Sequence, residues 1–142
     1  MIEQLSVFLV NDKGRLAHLT RRLAKNNINL HALFIADTSE FGVVRIFCDT
    51  PRKAADVLNA AGYRARVNSV VAVKVPDEPG GLAKLLEFLD ANDFNIEYGY
   101  CVSHSQGSAM DVLKIDDDSV EDKLVEAGFE VYEAKDVYTL DD

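Results

Sequence analysis

"NDKGRLAHLTRRLAKNNINL" (residues 11–30) and "DEPGGLAKLLEFLDANDFNI" (residues 77–96) are two segments of one chain that superimpose at a shift of 66 positions. The shift sets Gly14 on Gly80, Leu16 on Leu82, Leu19 on Leu85, Leu23 on Leu89, Asn26 on Asn92 and Asn29 on Asn95. It carries on beyond them: Asp56 falls on Asp122, Leu58 on Leu124 and "AGY" (61–63) on "AGF" (127–129), with no insertion expected in between. A register kept this long marks an internal duplication. The copies are read as domains 1–68 and 69–142. No Pro/Gly/Ser-rich linker separates them, so they are expected to pack as one body.

Within each copy the hydrophobic period changes in the same order. "QLSVFLV" (4–10) and "VVAVKV" (70–75) are short and β-branched and predict strands, whereas Leu16, Leu19 and Leu23, like Leu82, Leu85, Leu86 and Leu89, recur at helical spacing. "LHALFIADT" with "GVVRIFCD", and "EYGYCVSH" with "SAMDVLKI", predict two strand pairs turning near residues 39–41 and 105–107. A second helix follows in each copy. Thr50 offers an N-cap with Pro51 at the first helical position, and "DDDS" (116–119) offers capping side chains and acids at a positive helix end. Gly62 and Gly128 suit helix C-termini, and "YRARV" and "FEVYE" supply last strands. The order β-α-β-β-α-β, twice, predicts an α+β protein of two ferredoxin-like βαββαβ units, each an antiparallel sheet with its helices on one face. "DVYTL" (136–140) lies a further 66 positions beyond the strand at Val70 and predicts an added edge strand.

Composition narrows the function. With 142 residues and 48% hydrophobic content the chain can bury a real core. No apolar run approaches the roughly 20 residues of a membrane span, and the start lacks the pattern of an export signal, so a cytoplasmic protein is expected. Cys48 and Cys101 share no metal-like spacing and lie in apolar runs, which predicts reduced, buried thiols. His18, His31 and His104 do not pair at ligand spacing, so neither a metal nor a cofactor is expected. The net charge of −9 is divided unequally: residues 1–68 carry ten Lys and Arg against six Asp and Glu, the remainder five against eighteen. A nucleic-acid track would need basic side chains throughout, so small-molecule or protein partners are favoured.

The turn between first strand and helix is where a ligand is expected. There, successive backbone N–H groups and the helix dipole attract a carboxylate or phosphate. Gly80 and Gly81 leave the backbone approachable, and Pro79 fixes the chain's path. Asp77 and Glu78 would repel a bare anion but attract an ammonium group, so a zwitterion suits the turn better than phosphate. A plain capped helix start is the alternative. Asn29 and Asn95 open the second strand and are expected beside the turn, where an amide can bind the polar end of an amino acid; each could equally be an ordinary helix-to-strand connector.

The combination of an acid or amide, Pro-Gly, Leu, an amphipathic helix and the exit "DFNI" resembles the signature of ACT domains, and the first copy resembles it more loosely. The resemblance spans both copies. It implies a regulatory module that binds an amino acid between domains packed side by side, with Asn11, Asp12, Gly14, Arg15, Leu16 and Asn29 in the first copy, and Asp77, Glu78, Gly80, Gly81, Leu82 and Asn95 in the second, as ligand-binding candidates. Lys13 stands where the family has proline, and Leu9 and Val75 stand where some amino-acid-binding members have a polar side chain.

Phe88 lies outside the main apolar stripe of its helix, which predicts packing of residues 80–91 against another helix, from copy one or a second subunit. The reading is therefore a non-enzymatic amino-acid sensor, a homodimer, controlling a metabolic enzyme in trans. Two rivals remain. An RNA-binding module of this topology would stack bases on exposed sheet aromatics, which these strands lack. A small enzyme acting on an amino-acid-derived substrate would need a polar cluster in one copy only. Asp111 is its one candidate, with Arg45 at the equivalent position.

Overall fold

Strand β1 (Ile2–Val10) enters helix α1 (Arg15–Lys25), followed by β2 (Leu30–Ile35), β3 (Phe41–Cys48), α2 (Pro51–Ala60) and the long strand β4 (Arg64–Pro76). The second round comprises α3 (Gly81–Ala91), β5 (Tyr98–Ser105), β6 (Ser108–Lys114), α4 (Val120–Glu126) and the two-residue strand β7 (Glu130–Val131). The computed structural model describes residues 1–10, 12–36 and 41–142, and at 41 and 103–105 the backbone alone. Residues 39 and 40 of the first expected turn lie outside the described residues; the second turn joins β5 to β6 as expected. The backbone divides into two units: Glu3–Asn68 with Ala134–Asp142, termed N-terminal, and Ser69–Glu133 with Met1–Ile2, termed C-terminal.

Each unit is built on alternation. In the N-terminal unit, β3 lies between β2 and β1, and β1 lies between β3 and β4; the pairing of β3 with both β1 and β2 is antiparallel. Leu5, Val7 and Leu9 of β1 and Val44 and Ile46 of β3 share one core with Leu19 and Leu23 of α1 and Ala54 and Leu58 of α2. Because alternate strand residues point the same way, this fixes both helices on one face. Each fully buried leucine contributes about 2 kcal/mol. In the C-terminal unit β6 lies between β5 and β4, and β7 pairs with β4. Val71, Val73 and Val75 there meet Leu85, Leu89, Val120 and Leu124.

The helix ends repeat as the sequence does. Asn27 (φ 58°) and Asp93 (φ 60°) turn the chain after α1 and α3, and Gly62 (φ 92°) and Gly128 (φ 93°) after α2 and α4. The starts of α2 and α4 differ from expectation. Thr50 has φ 44° and makes no side-chain cap, and Ser119 makes none either. Asp117 instead accepts bonds from the Ser119 N–H and hydroxyl.

The cap of α2 comes from the tail. Residues 136–140 do not form the expected edge strand; a 3-10 turn (Ala134–Asp136) leads into a segment without strand structure. The Asp141 carboxylate accepts the N–H groups of Arg52 and Lys53 at 2.9 and 3.0 Å. The Thr50 N–H donates to the Thr139 carbonyl, and the Thr139 N–H to Asp49, both at 2.7 Å. Tyr138 is buried with its ring against Phe47, and its hydroxyl accepts the Glu3 N–H at 2.8 Å.

The copies are not superimposable throughout. In β1 and β3, Leu5 faces Ile46 and Val7 faces Val44. In β4 and β6, Val71 faces Leu113 and Val73 faces Asp111. β6 is thus offset by 67 positions from β3, although the other elements keep 66, so the β5–β6 turn holds one residue more than its counterpart and the β6–α4 connection one fewer. The equivalence of Asp111 with Arg45 therefore fails. Asp111 occupies the place of Val44, on the helix-covered face of its sheet, because a one-residue slip turns every side chain of a strand over.

That slip explains the second cysteine. Cys101 lies directly across from Asp111, and its thiol donates to the Asp111 carboxylate. Asp111 is 1% exposed, and among the described residues its second oxygen has no partner. Cys48 is buried as expected, but Cys101, on the outer strand of its unit, is exposed. The Phe88 ring packs on Phe129 of its own unit, with centroids 5.3 Å apart.

Candidate ligand-binding site

The two glycine turns are built alike. Gly14 and Gly80 precede α1 and α3 with φ of 87° and 88°, and among the described residues neither helix start carries a side-chain cap. Positive φ costs a side-chain-bearing residue strain, which is the reason for glycine at both places. A Cβ on Gly80 would meet nothing, so its role is conformational. Gly81 is different: a Cβ there would lie 2.2 Å from the Pro76 carbonyl oxygen, so only glycine lets α3 begin this close to the end of β4.

A cavity of about 560 Å³ opens beside the second turn. Its floor is Lys74, Val75 and Pro76; Glu78, Pro79, Gly80, Gly81 and Lys84 form the turn side; Gly107 and Ser108, with Gly128, Phe129 and Glu130, close the rest. Lys74 and Glu130 form an ion pair at 3.5 Å across it. Glu78 and Lys84 bring a further acid and base to the turn side. The volume lies within the range of small-molecule sites. A place with uncapped helix N–H groups, and with Lys84 and Glu78 besides the Lys74–Glu130 ion pair, can hold both ends of a zwitterion.

The expected site residues fall into groups. Glu78, Gly80 and Gly81 line the cavity; Asp77 is exposed beside it and donates its N–H to the Gly107 carbonyl at 2.9 Å. Leu82 is exposed on the first turn of α3. In the first copy Asn11 lies outside the described residues. Asp12 is exposed, with its carbonyl accepting the Arg15 N–H, and Leu16 packs against the core. Arg15 lays its guanidinium over Tyr63.

Asn29 and Asn95 are not brought to the turns. β3 separates β2 from β1, and Leu30 pairs at Cys48 whereas Val10 pairs at Phe41, so Asn29 and the Gly14 turn stand at opposite ends of the sheet. The second copy repeats this: Tyr98 pairs at Lys114 and Pro76 at Ser108. The helix carries the chain back along the strand it left, which the expectation overlooked. Lys74, Lys84, Ser108 and Glu130 were missed. The lysines and Glu130 carry no motif; only topology brings the hairpin and last strand to the turn.

Among the described residues no cluster of three or more His, Cys, Asp or Glu side chains could hold a metal ion. Among the described residues no helix is long and apolar enough to cross a membrane.

The sequence matches the family described as an ACT domain pair over residues 1–140. Among solved structures it is similar to protein BT0572 from Bacteroides thetaiotaomicron, at 38% identity and a TM-score of 0.90, covering 98% of this chain and 96% of that one. The regulatory subunit of aspartate kinase from Thermus thermophilus, in its ligand-free form, shares the fold at 16% identity and a TM-score of 0.67, with 90% and 93% coverage. The corresponding subunit from Thermus flavus does so at 17% and 0.64, with 87% and 88% coverage. No curated protein matches the sequence.

Proposed function

Since the chain belongs to the ACT domain pair family, we propose that it is a regulatory amino-acid sensor that binds its ligand in the cavity beside Gly80 and acts by binding rather than by catalysis. The observation that carries this reading is the uncapped start of α3, opening into a cavity with both an acid and a base at its rim. The helix N–H groups and Lys84 would hold the ligand carboxylate, and Glu78 its ammonium group. The ligand side chain would lie along Val75 and Phe129.

Regulation then follows from linkage. A ligand that prefers one arrangement of the protein raises that arrangement's population, and a partner that reads it responds. The partners this reading calls for are a second copy of the chain and a separate metabolic enzyme. An enzyme reading has less support, because Asp111 and Cys101, the polar pair present in one copy only, do not line this cavity.

The test is a thermal-shift screen of the twenty amino acids, followed by calorimetry. A ligand at 100 times its Kd should add about 2.7 kcal/mol of stability. Lys84→Ala and Glu78→Gln should each weaken the response while leaving the unliganded melting temperature in place. Absence of any saturable response, or a response untouched by both variants, would remove the site from this cavity.

A further inference from the structure

The N-terminal unit has its own cavity in the equivalent place, and its chemistry is different. About 390 Å³ in volume, it is lined by Phe8, Val10, Arg15, Gly62, Tyr63 and Arg64. Each of these stands 66 positions before a residue lining the cavity beside Gly80: Lys74, Pro76, Gly81, Gly128, Phe129 and Glu130. Arg64 thus replaces an acid, Phe8 replaces a lysine, and Arg15 fills the place of a glycine. The described lining holds two guanidinium groups and no carboxylate.

Both guanidinium groups are arranged on aromatic faces. Arg15 lies 4.8 Å from the centroid of Tyr63, and Arg64 lies 5.9 Å from that of Phe8. Stacking occupies the plane of a guanidinium and leaves its N–H edge to bind an oxyanion. Among the described residues neither arginine belongs to an ion pair, and the Arg15 Nε is buried without a hydrogen-bond partner. Tyr63 is held in place: its hydroxyl bonds to His18 Nδ1 and donates to the Arg15 carbonyl. At the rim Phe8 and Val10 are 50% and 43% exposed, an apolar surface next to two unneutralised cations.

We propose that this cavity binds a carboxylic acid with an apolar body, such as an aryl or branched-alkyl carboxylate, and makes no use of an ammonium group. Arg15 and Arg64 take the carboxylate, and Phe8, Val10 and Tyr63 take the body. A zwitterion is disfavoured, because its ammonium group would be set between two guanidinium groups, and Asp12, the counterpart of Glu78, is exposed on the turn and does not line the cavity. The two copies thereby differ in ligand class, and this assignment does not rest on the amino-acid reading of the cavity beside Gly80.

Calorimetry with benzoate, 3-phenylpropanoate, 4-methylpentanoate, phenylethylamine and phenylalanine tests it. At least one of the three acids should bind saturably, phenylethylamine should not, and phenylalanine should be unaffected by changes at this cavity. Arg64→Glu and Arg15→Met should each weaken acid binding at least about tenfold, whereas Lys84→Ala should leave it unchanged. Arg64 is exposed, so its variant is expected to fold; circular dichroism and an unchanged melting temperature check this. The proposal is overturned if none of the acids binds below about 10 mM, if phenylethylamine competes with them, or if affinity survives both arginine substitutions. Those results leave the Lys84-dependent amino-acid response standing, so the two sites can fail separately.

Discussion

Asp141 and Lys53 stand 88 positions apart in the chain, and the Asp141 carboxylate accepts the Lys53 backbone N–H at 3.0 Å. It takes the Arg52 N–H as well, so the first turn of α2 is capped from the far end of the sequence. Asp141→Ala should lower stability by about 1 kcal/mol, the usual cost of a lost N-cap. In urea the midpoint should fall with the slope unchanged. Thr50→Gly should do the reverse, gaining up to about 1 kcal/mol, because Thr50 holds a positive φ and caps nothing.

Neighbouring glycines at the second turn should respond differently to alanine. Gly80→Ala places a methyl group in open space at φ 88° and should cost about 1–2 kcal/mol of backbone strain. Gly81→Ala drives a Cβ into the Pro76 carbonyl and should cost about 3 kcal/mol. Chemical denaturation of the two variants side by side distinguishes conformational from steric need.

Asp111 should be a liability at neutral pH. Burial raises its carboxyl above the ordinary 3.8, against the lowering effect of the Cys101 hydrogen bond. The folded protein therefore holds this proton more tightly than the unfolded chain does. The stability it contributes is complete below the unfolded-state value and is lost as pH rises through the folded-state value. Asp111→Val, which installs the side chain found at the structurally equivalent position, should stabilise by about 1 kcal/mol at pH 8. The gain should shrink as pH is lowered towards 4, measured by denaturation across that range.

Both thiols should be slow nucleophiles. Burial, then the hydrogen bond and charge of Asp111, push Cys101 up to about 11, and burial with the charges of Asp49 and Asp141 pushes Cys48 to about 12. A raised pKa leaves less thiolate at pH 8, so labelling of Cys101 by iodoacetamide should be far slower than for a free thiol. Asp111→Val should speed labelling of Cys101 and leave Cys48 unreactive until the protein unfolds. Peptide mapping against time reads both sites.

The duplication, the order of elements and the two glycine turns were legible because each rests on local pattern: β-branched runs, leucines at helical spacing and Asn or Gly at helix ends. The offset of β6 was not. Met110 and Val112 are buried on one face of that strand and Leu113 and Ile115 on the other, so its apolar pattern fits either register. The fate of the tail was hidden for another reason. A carboxylate capping a helix from 88 residues away leaves no trace in spacing. Asn29 and Asn95 were misplaced because proximity was inferred from strand order in sequence, whereas β3 and β6 insert themselves in space.

The displaced strand also limits how the halves can be recombined. A chimera in which residues 98–114 are exchanged position for position with their 66-residue counterparts would invert the donor's inner strand, turning valine and isoleucine away from the helices and setting Arg45 beneath them. A graft lengthened or shortened by one residue at the turn would keep inside and outside in order, so descent from a common half has not left the two hairpins interchangeable.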